Sequence, residues 1–161
     1  MRLTTYSDFA LRTLMFAAAR HPQLTSIAEV AQSYGIPQGH VRKIVHELSR
    51  AGLLLSVRGR LGGFRLARSP AELRLDDIVR QTETDFALAE CFAPRAGGCR
   101  LQPGCRLQHA LATACDAFLD SLAGWTLADL VEPRSAFLAA FASGGATRPP
   151  TAQRAANRSM A

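Results

Sequence analysis

The stretch SIAEVAQSYGIPQGHVRKIVHEL, residues 26–48, decides the fold. Ser26 and Glu29 stand at S-x-x-E spacing, so at a helix start each side chain can satisfy a free backbone N–H of the other. Ile27, Val30 and Ala31 carry an apolar stripe on to Tyr34. Gly35 suits the left-handed residue that stops a helix. Pro37 suits the first position of the next helix, where its missing N–H is not needed. Val41, Ile44, Val45 and Leu48 form the buried face of that helix, and Gly52 ends it. Two short helices around a tight Gly turn make a helix-turn-helix.

Working outward, Leu11, Leu14, Met15 and Ala18 have the spacing of an amphipathic helix over about Ser7 to Arg20, which His21-Pro22 ends. After residue 52, Leu53–Val57 and Phe64–Leu66 read as two strands around a Gly-rich turn, Arg58-Gly59-Arg60-Leu61-Gly62-Gly63, and so as the wing of a winged helix. Leu75, Ile78 and Val79 predict a helix to about Thr84. Residues 91–105, with Pro94, Gly97, Gly98, Pro103 and Gly104, read as a loop. Leu111, Ala114, Cys115, Phe118, Leu119 and Leu122 mark a long helix stopped by Gly124. Thr126 and Asp129 form a second capping box, predicted to open one last helix through about Phe141.

The expected fold is therefore mainly α with a small β-hairpin wing. A winged helix-turn-helix domain covers 1–84, a cysteine-bearing loop 85–106, and the long helix with its successor 107–142. Residues 143–161 are Gly, Pro, Ala, Thr and Arg without periodicity and are expected to be disordered.

Of the 161 residues, 48% are apolar, enough for a real core. Apolar runs such as Leu14 to Ala19 are far short of the roughly 20 residues that span a bilayer. The opening Met1-Arg2-Leu3-Thr4-Thr5 lacks the pattern of a signal peptide. A cytoplasmic protein without membrane contact is expected, its four cysteines in a reducing compartment where ligand or catalytic roles outweigh disulfides.

The net charge of +6 is unevenly spread. Residues 1–70 hold ten Lys and Arg against three acids (+7), 71–142 hold six Arg against ten acids (−4), and 143–161 hold Arg148, Arg154 and Arg158 with no acid (+3). A basic first half points to a polyanionic partner, double-stranded DNA. Gln38, His40, Arg42 and Lys43 cluster at the end of the second helix that a helix-turn-helix inserts into the major groove. Gln and Arg suit base edges, while Lys suits phosphates. Arg58 and Arg60 extend this basic surface onto the wing. Ser26, Gly62 and Gly63 complete the candidate DNA contacts.

Cys91, Cys99 and Cys105 are spaced C-x7-C-x5-C in the Gly/Pro-rich loop. Such a loop can curl three thiolates onto one soft-ligand centre, either Fe–S or zinc, and the spacing does not choose between them. His109, one helical turn past Cys105, is a candidate fourth ligand. Cys115 is expected to be a packed core thiol, because it lies on the apolar stripe about 15 Å along a helix from Cys105. No catalytic motif is present, so an enzyme is not expected. A zinc-stabilised interaction module stands as an alternative to a transcription regulator.

The opening MRLTTYSDFALR, the segment Leu48-Ser49-Arg50-Ala51-Gly52, the wing Val57-Arg58-Gly59-Arg60-Leu61-Gly62-Gly63-Phe64-Arg65-Leu66, the three-cysteine loop and Thr126-Leu127-Ala128-Asp129-Leu130-Val131 together resemble the winged-helix iron–sulfur repressors. The resemblance covers about residues 1–132 and is greatest to the nitric-oxide-sensing type, through the opening segment, Pro103-Gly104-Cys105-Arg106-Leu107 and the Thr126–Val131 segment. It implies a homodimer joined through the long helix, and a 4Fe–4S cluster held by Cys91, Cys99 and Cys105. It also implies Asp8 of the other subunit as fourth ligand, nitric oxide as signal, and AT-rich inverted repeats before nitric-oxide detoxification genes as target. The alternative within the family is a 2Fe–2S regulator of cluster assembly. That type carries His three residues past the last Cys, where this chain has Gln108. The gap between Cys91 and Cys99 is longer than the family's usual one, and residues past Ser143 fall outside its pattern.

Overall fold

A computed structural model of the chain describes residues 2–59, 62–92, 99, 101 and 104–142. Arg60 and residues 143–161, which bear two of the expectations above, lie outside the described residues.

Helix α1 (Thr5–Arg20) starts on a Thr4 cap whose hydroxyl accepts from the Ser7 N–H. Its buried surface is wider than the predicted stripe: Ala10, Leu14, Phe16, Ala17, Ala18 and Ala19 are all buried, with Leu11 and Met15 half-buried. The reason is position. α1 is the central helix, against which most of the other elements pack.

Helix α2 (Ile27–Tyr34) begins at the Ser26–Glu29 capping box and ends at Gly35, whose φ of 64° is the left-handed conformation read from sequence. Helix α3 (Gln38–Arg50) follows, with Pro37 one position earlier than expected, as the cap rather than the first helical residue. Val41, Ile44, Val45 and Leu48 are buried as predicted.

Strands β1 (Leu54–Val57) and β2 (Gly63–Leu66) form the antiparallel wing, in register from Leu54 opposite Leu66 to Val57 opposite Gly63. Thr25 adds a third rung. Its N–H and C=O both bond Phe64, at 2.8 Å each, so the hairpin is stitched to the entry of α2.

Helix α4 (Leu75–Thr82) packs on α1 and on the long helix α5 (Arg106–Ala123). The expected final helix is two helices, α6 (Leu127–Leu130) and α7 (Arg134–Ala142). Pro133 separates them: its ring disfavours helical backbone at Glu132 and it has no N–H to donate. The Thr126–Asp129 capping box is present at the start of α6. The chain returns to the core around α1 there. Leu75 N–H donates to the Trp125 carbonyl and Leu127 N–H to that of Leu73, both at 2.9 Å, and Leu127 and Val131 join the core around α1.

Candidate nucleic-acid interface and metal centre

The reader surface follows from the α3 stripe. With Val41, Ile44, Val45 and Leu48 turned inward, Gln38, His40, Arg42, Lys43 and His46 are left exposed on one helix. No side chain caps the α3 N-terminus, so its free N–H groups remain available to an anion. His40 lies 6.2 Å from the ring of Phe9 on α1, between centroids, so the reader's first turn touches the central helix. Lys43 Nζ stands 3.9 Å from the Glu47 carboxylate, an exposed pair that is weak and screened by salt. Arg58 is exposed on the wing.

Three predicted contacts have a structural task as well. Ser26 accepts from Glu29 N–H at 3.2 Å and donates its own N–H to Glu29 Oε2 at 2.7 Å. Burial alone would raise the Glu29 carboxyl, but the Ser26 bonds and the Arg20 guanidinium, which also bonds it, outweigh burial and hold it below its ordinary value. A Cβ on Gly62 would stand 2.3 Å from the Val57 carbonyl oxygen, and one on Gly63 2.5 Å from that of Thr25. Only glycine lets the wing close on β1 and on Thr25. The sequence shows the Gly pair but not the backbone it presses against.

Turning to the thiols, Cys91 sits in a short 3-10 turn (Glu90–Phe92), Cys99 is exposed, and Cys105 is the residue before α5. All are free, and none is in the core. The Cys105 side chain makes no capping bond, so its sulfur remains uncommitted at the start of α5. Among the described residues no three His, Cys, Asp or Glu side chains are gathered closely enough to hold a metal ion. The donor set therefore fits a soft-metal group by its chemistry, three accessible thiols, rather than as a cage already closed in one chain. His109 is exposed in the first turn of α5, its N–H 3.3 Å from the Cys105 carbonyl. Asp8 lies in the first turn of α1 with its side chain 45% exposed, and accepts from Arg12 Nε at 2.9 Å.

Cys115 corrects the sequence reading. It is half-exposed, not packed in the core, because the chain leaves most of α5 uncovered. Of the helix's eighteen residues only Leu119 is buried, and Leu107 is 66% exposed.

Two connections escaped the sequence. Glu83, at the end of α4, accepts from both the N–H (2.7 Å) and the hydroxyl (3.2 Å) of Thr4, tying the segment that enters the cysteine loop to the start of α1. The Arg12 guanidinium lies 5.7 Å over the Tyr34 ring at the end of α2. Burial pushes the Tyr34 phenol up to about 12 despite the opposing Arg12 charge. No local pattern announces either contact, since the partners come from different elements.

Among the described residues no helix is long and apolar enough to cross a membrane. The family described as Rrf2, iron-dependent transcriptional regulator, matches residues 3–133. The chain is 45% identical over 136 residues to the HTH-type transcriptional regulator NsrR of Geobacillus kaustophilus, covering 84% of this chain and 92% of that protein. It is 41% identical over 140 residues to the NsrR of Oceanobacillus iheyensis, covering 86% and 95%. Among solved structures, the oxidised form of Staphylococcus aureus CymR is similar with a TM-score of 0.65 at 26% identity, over 82% of this chain and 97% of CymR. With its winged-helix reader and accessible loop cysteines, the chain belongs to the Rrf2 family of transcriptional regulators, as an NsrR-type DNA-binding regulator and not an enzyme.

Proposed function

We propose that this chain acts as a homodimeric repressor that senses nitric oxide through a 4Fe–4S cluster and controls nitric-oxide detoxification genes from AT-rich inverted repeats. The observation that carries the reading is the set of three free, non-core thiols in a chain that also carries a winged-helix reader, with Asp8 on the helix against which that reader packs. The uncovered apolar stripe of α5 supports the dimer: Leu111, Cys115, Phe118 and Leu122 are only partly buried by their own chain. Residues 1–84 would read DNA, 85–106 hold the sensor and 107–142 join the subunits.

Cys91, Cys99 and Cys105 of one copy, with Asp8 of the other, would hold the cluster. When bound, it supplies iron with which nitric oxide reacts. The chain's own part is to make the state of Asp8 felt at the reader. Asp8 has a second partner in Arg12, and Arg12 lies over Tyr34, the last residue before the helix-turn-helix turn. Phe9, next to Asp8, lies against His40 on the reader itself. A change in what Asp8 binds therefore acts on both sides of the turn, which gives two sites one shared element. The Thr4–Glu83 bonds hold the start of that helix to the end of α4, where the chain enters the cysteine segment.

The test is an anaerobic titration of iron- and sulfide-loaded protein with nitric oxide, following absorbance and binding to an AT-rich inverted-repeat duplex together. Loss of the visible absorbance and release of the duplex should track each other. Equal binding by loaded and unloaded protein overturns the sensor reading. The rival is a 2Fe–2S regulator of cluster assembly with His109 as fourth ligand, favoured by the exposure of His109 within one turn of Cys105. Resolved visible bands in place of one broad shoulder would select it.

A further inference from the structure

The reader helix and the wing meet at a pair of hydroxyls. Ser49, in the last turn of α3, and Ser56, on β1, stand with their Oγ atoms 2.8 Å apart. Ser49 is half-buried and Ser56 is exposed. Each hydroxyl carries one proton, and one proton makes the bond between them, so the other is free for a further acceptor. The pair lies within a basic strip. Arg42 and His46 precede Ser49 on α3 by seven and three residues, which puts all three on one helix face, and both are exposed. Along β1 the side chains alternate between the two faces of the hairpin. Leu54 and Ser56 share the face toward the core, where Leu54 is buried; Leu55 and Val57 take the other and are 47% and 45% exposed. Arg58, also exposed, follows Ser56 by two residues. The strip thus runs from Arg42 through His46 and the two serines to Arg58, and crosses from helix to wing at the hydroxyls.

We infer that Ser49 and Ser56 form a phosphate-binding site, which takes one phosphodiester of the DNA backbone at the seam between reader and wing. The geometry of the duplex selects this occupant. One phosphate strand separates each major groove from the next minor groove. A reader helix in the first and a wing in the second straddle that strand, so it crosses the seam between them. Ser56, the exposed member, donates to a phosphate oxygen. Ser49 donates to Ser56, which orients that hydroxyl and polarises it. A hydrogen bond to an ionised oxygen is stronger than one between neutral groups. The C-terminal end of a helix ordinarily repels an anion, because its last carbonyls are unpaired. Here the carbonyls of Glu47, Leu48 and Ser49 already accept from the N–H groups of Ala51, Leu53 and Gly52, at 2.9, 3.0 and 3.2 Å. Arg50, exposed in the same turn, adds positive charge. The contact fixes the register of α3 on the duplex and reads no base. The inference rests on the DNA-binding reading above, and its experiment separates the two.

The test uses the full chain and an AT-rich inverted-repeat duplex in which single phosphates, one position at a time, are replaced by uncharged methylphosphonate. Affinity is followed by fluorescence anisotropy. Ser56→Ala is compared with the parent chain and with Ser56→Thr, which keeps the hydroxyl on a residue suited to a strand. On the unmodified duplex Ser56→Ala loses about tenfold in affinity. Its slope of log K against log salt is unchanged, because a neutral hydroxyl displaces no counterion. On the modified duplexes the parent chain is weakened at several phosphates. Ser56→Ala loses that sensitivity at one phosphate per half-site and keeps it at the others, and Ser56→Thr restores the parent profile. Ser49→Ala, which removes the orienting donor alone, weakens binding less and stays sensitive at the same phosphate. Identical profiles for the parent chain and Ser56→Ala overturn the inference while leaving the regulator reading intact. A profile altered at every phosphate under the wing also overturns it, and makes the pair a tether between α3 and β1. A parent chain with no salt-dependent binding to the unmodified duplex removes the DNA-binding reading itself, and the site with it.

Discussion

The reader and the cysteine-bearing segment are built on opposite principles. From Thr25 to Leu66 nearly every local choice is specified twice. α2 has a reciprocal cap and a left-handed Gly stop, α3 buries four aliphatic residues, and Phe64 and Leu66 seat the wing in the core. From Glu90 to Cys105 the described residues offer one short turn, which holds Cys91, and two further thiols; all three are half-buried or exposed. The contrast is physical. A surface that recognises a fixed object gains from rigidity, since little ordering remains to be done on binding. On the function proposed above, the cysteine segment must differ between states, so its geometry would be left to something the chain alone does not supply.

The contrast can be broken at several points. The largest effect belongs to Cys99→Ala. It should abolish iron loading and visible absorbance while leaving the thermal midpoint of the unloaded protein nearly unchanged; full iron content in the variant would remove Cys99 from the ligand set. The reverse holds for Gly63→Ala in the reader, which should cost about 1–3 kcal/mol in denaturant unfolding, because the new methyl meets the Thr25 carbonyl at 2.5 Å. An unchanged midpoint there would mean that the wing yields more readily than its pairing implies. Ser26→Ala should cost about 1 kcal/mol through the lost cap, with no change in iron content.

Smaller still, Arg58→Ala should weaken binding to duplex DNA and reduce its salt slope by about 1; an unaltered slope would take the wing out of the interface. The subtlest test is pH. The Glu29 carboxyl titrates lower in the fold than its ordinary 4.5. It therefore contributes stability that is present above pH 4.5 and lost as pH falls through its lowered value. Thermal midpoints of Glu29→Gln, measured from pH 7 down to pH 3, should show a shallower decline than those of the parent chain.

Sequence reading was most reliable where the controlling interactions span about four residues. The two capping boxes, the Gly35 stop and the buried face of α3 all stand as read, because an N-cap, a C-cap and a helical stripe are each settled within one or two turns. It was least reliable where burial depends on what arrives from elsewhere. Cys115 looked like a core residue because it sits on an apolar stripe, but a stripe shows only that a face seeks cover, not that its own chain provides it. The apolar pattern predicts one continuous last helix, but Pro133 divides it into α6 and α7.

By itself, then, the order of residues determined the helix-turn-helix, its basic reader face, the Gly-rich wing and the trio of loop cysteines, since each depends on chemistry between near neighbours. Only the tertiary structure decided that Gly63 lies against Thr25, that Glu83 holds Thr4 across 79 residues, that α6 returns to the core around α1, and that α7 ends beside Tyr34. Contacts between distant segments form only when the whole core packs at once, and no short window of sequence contains both partners.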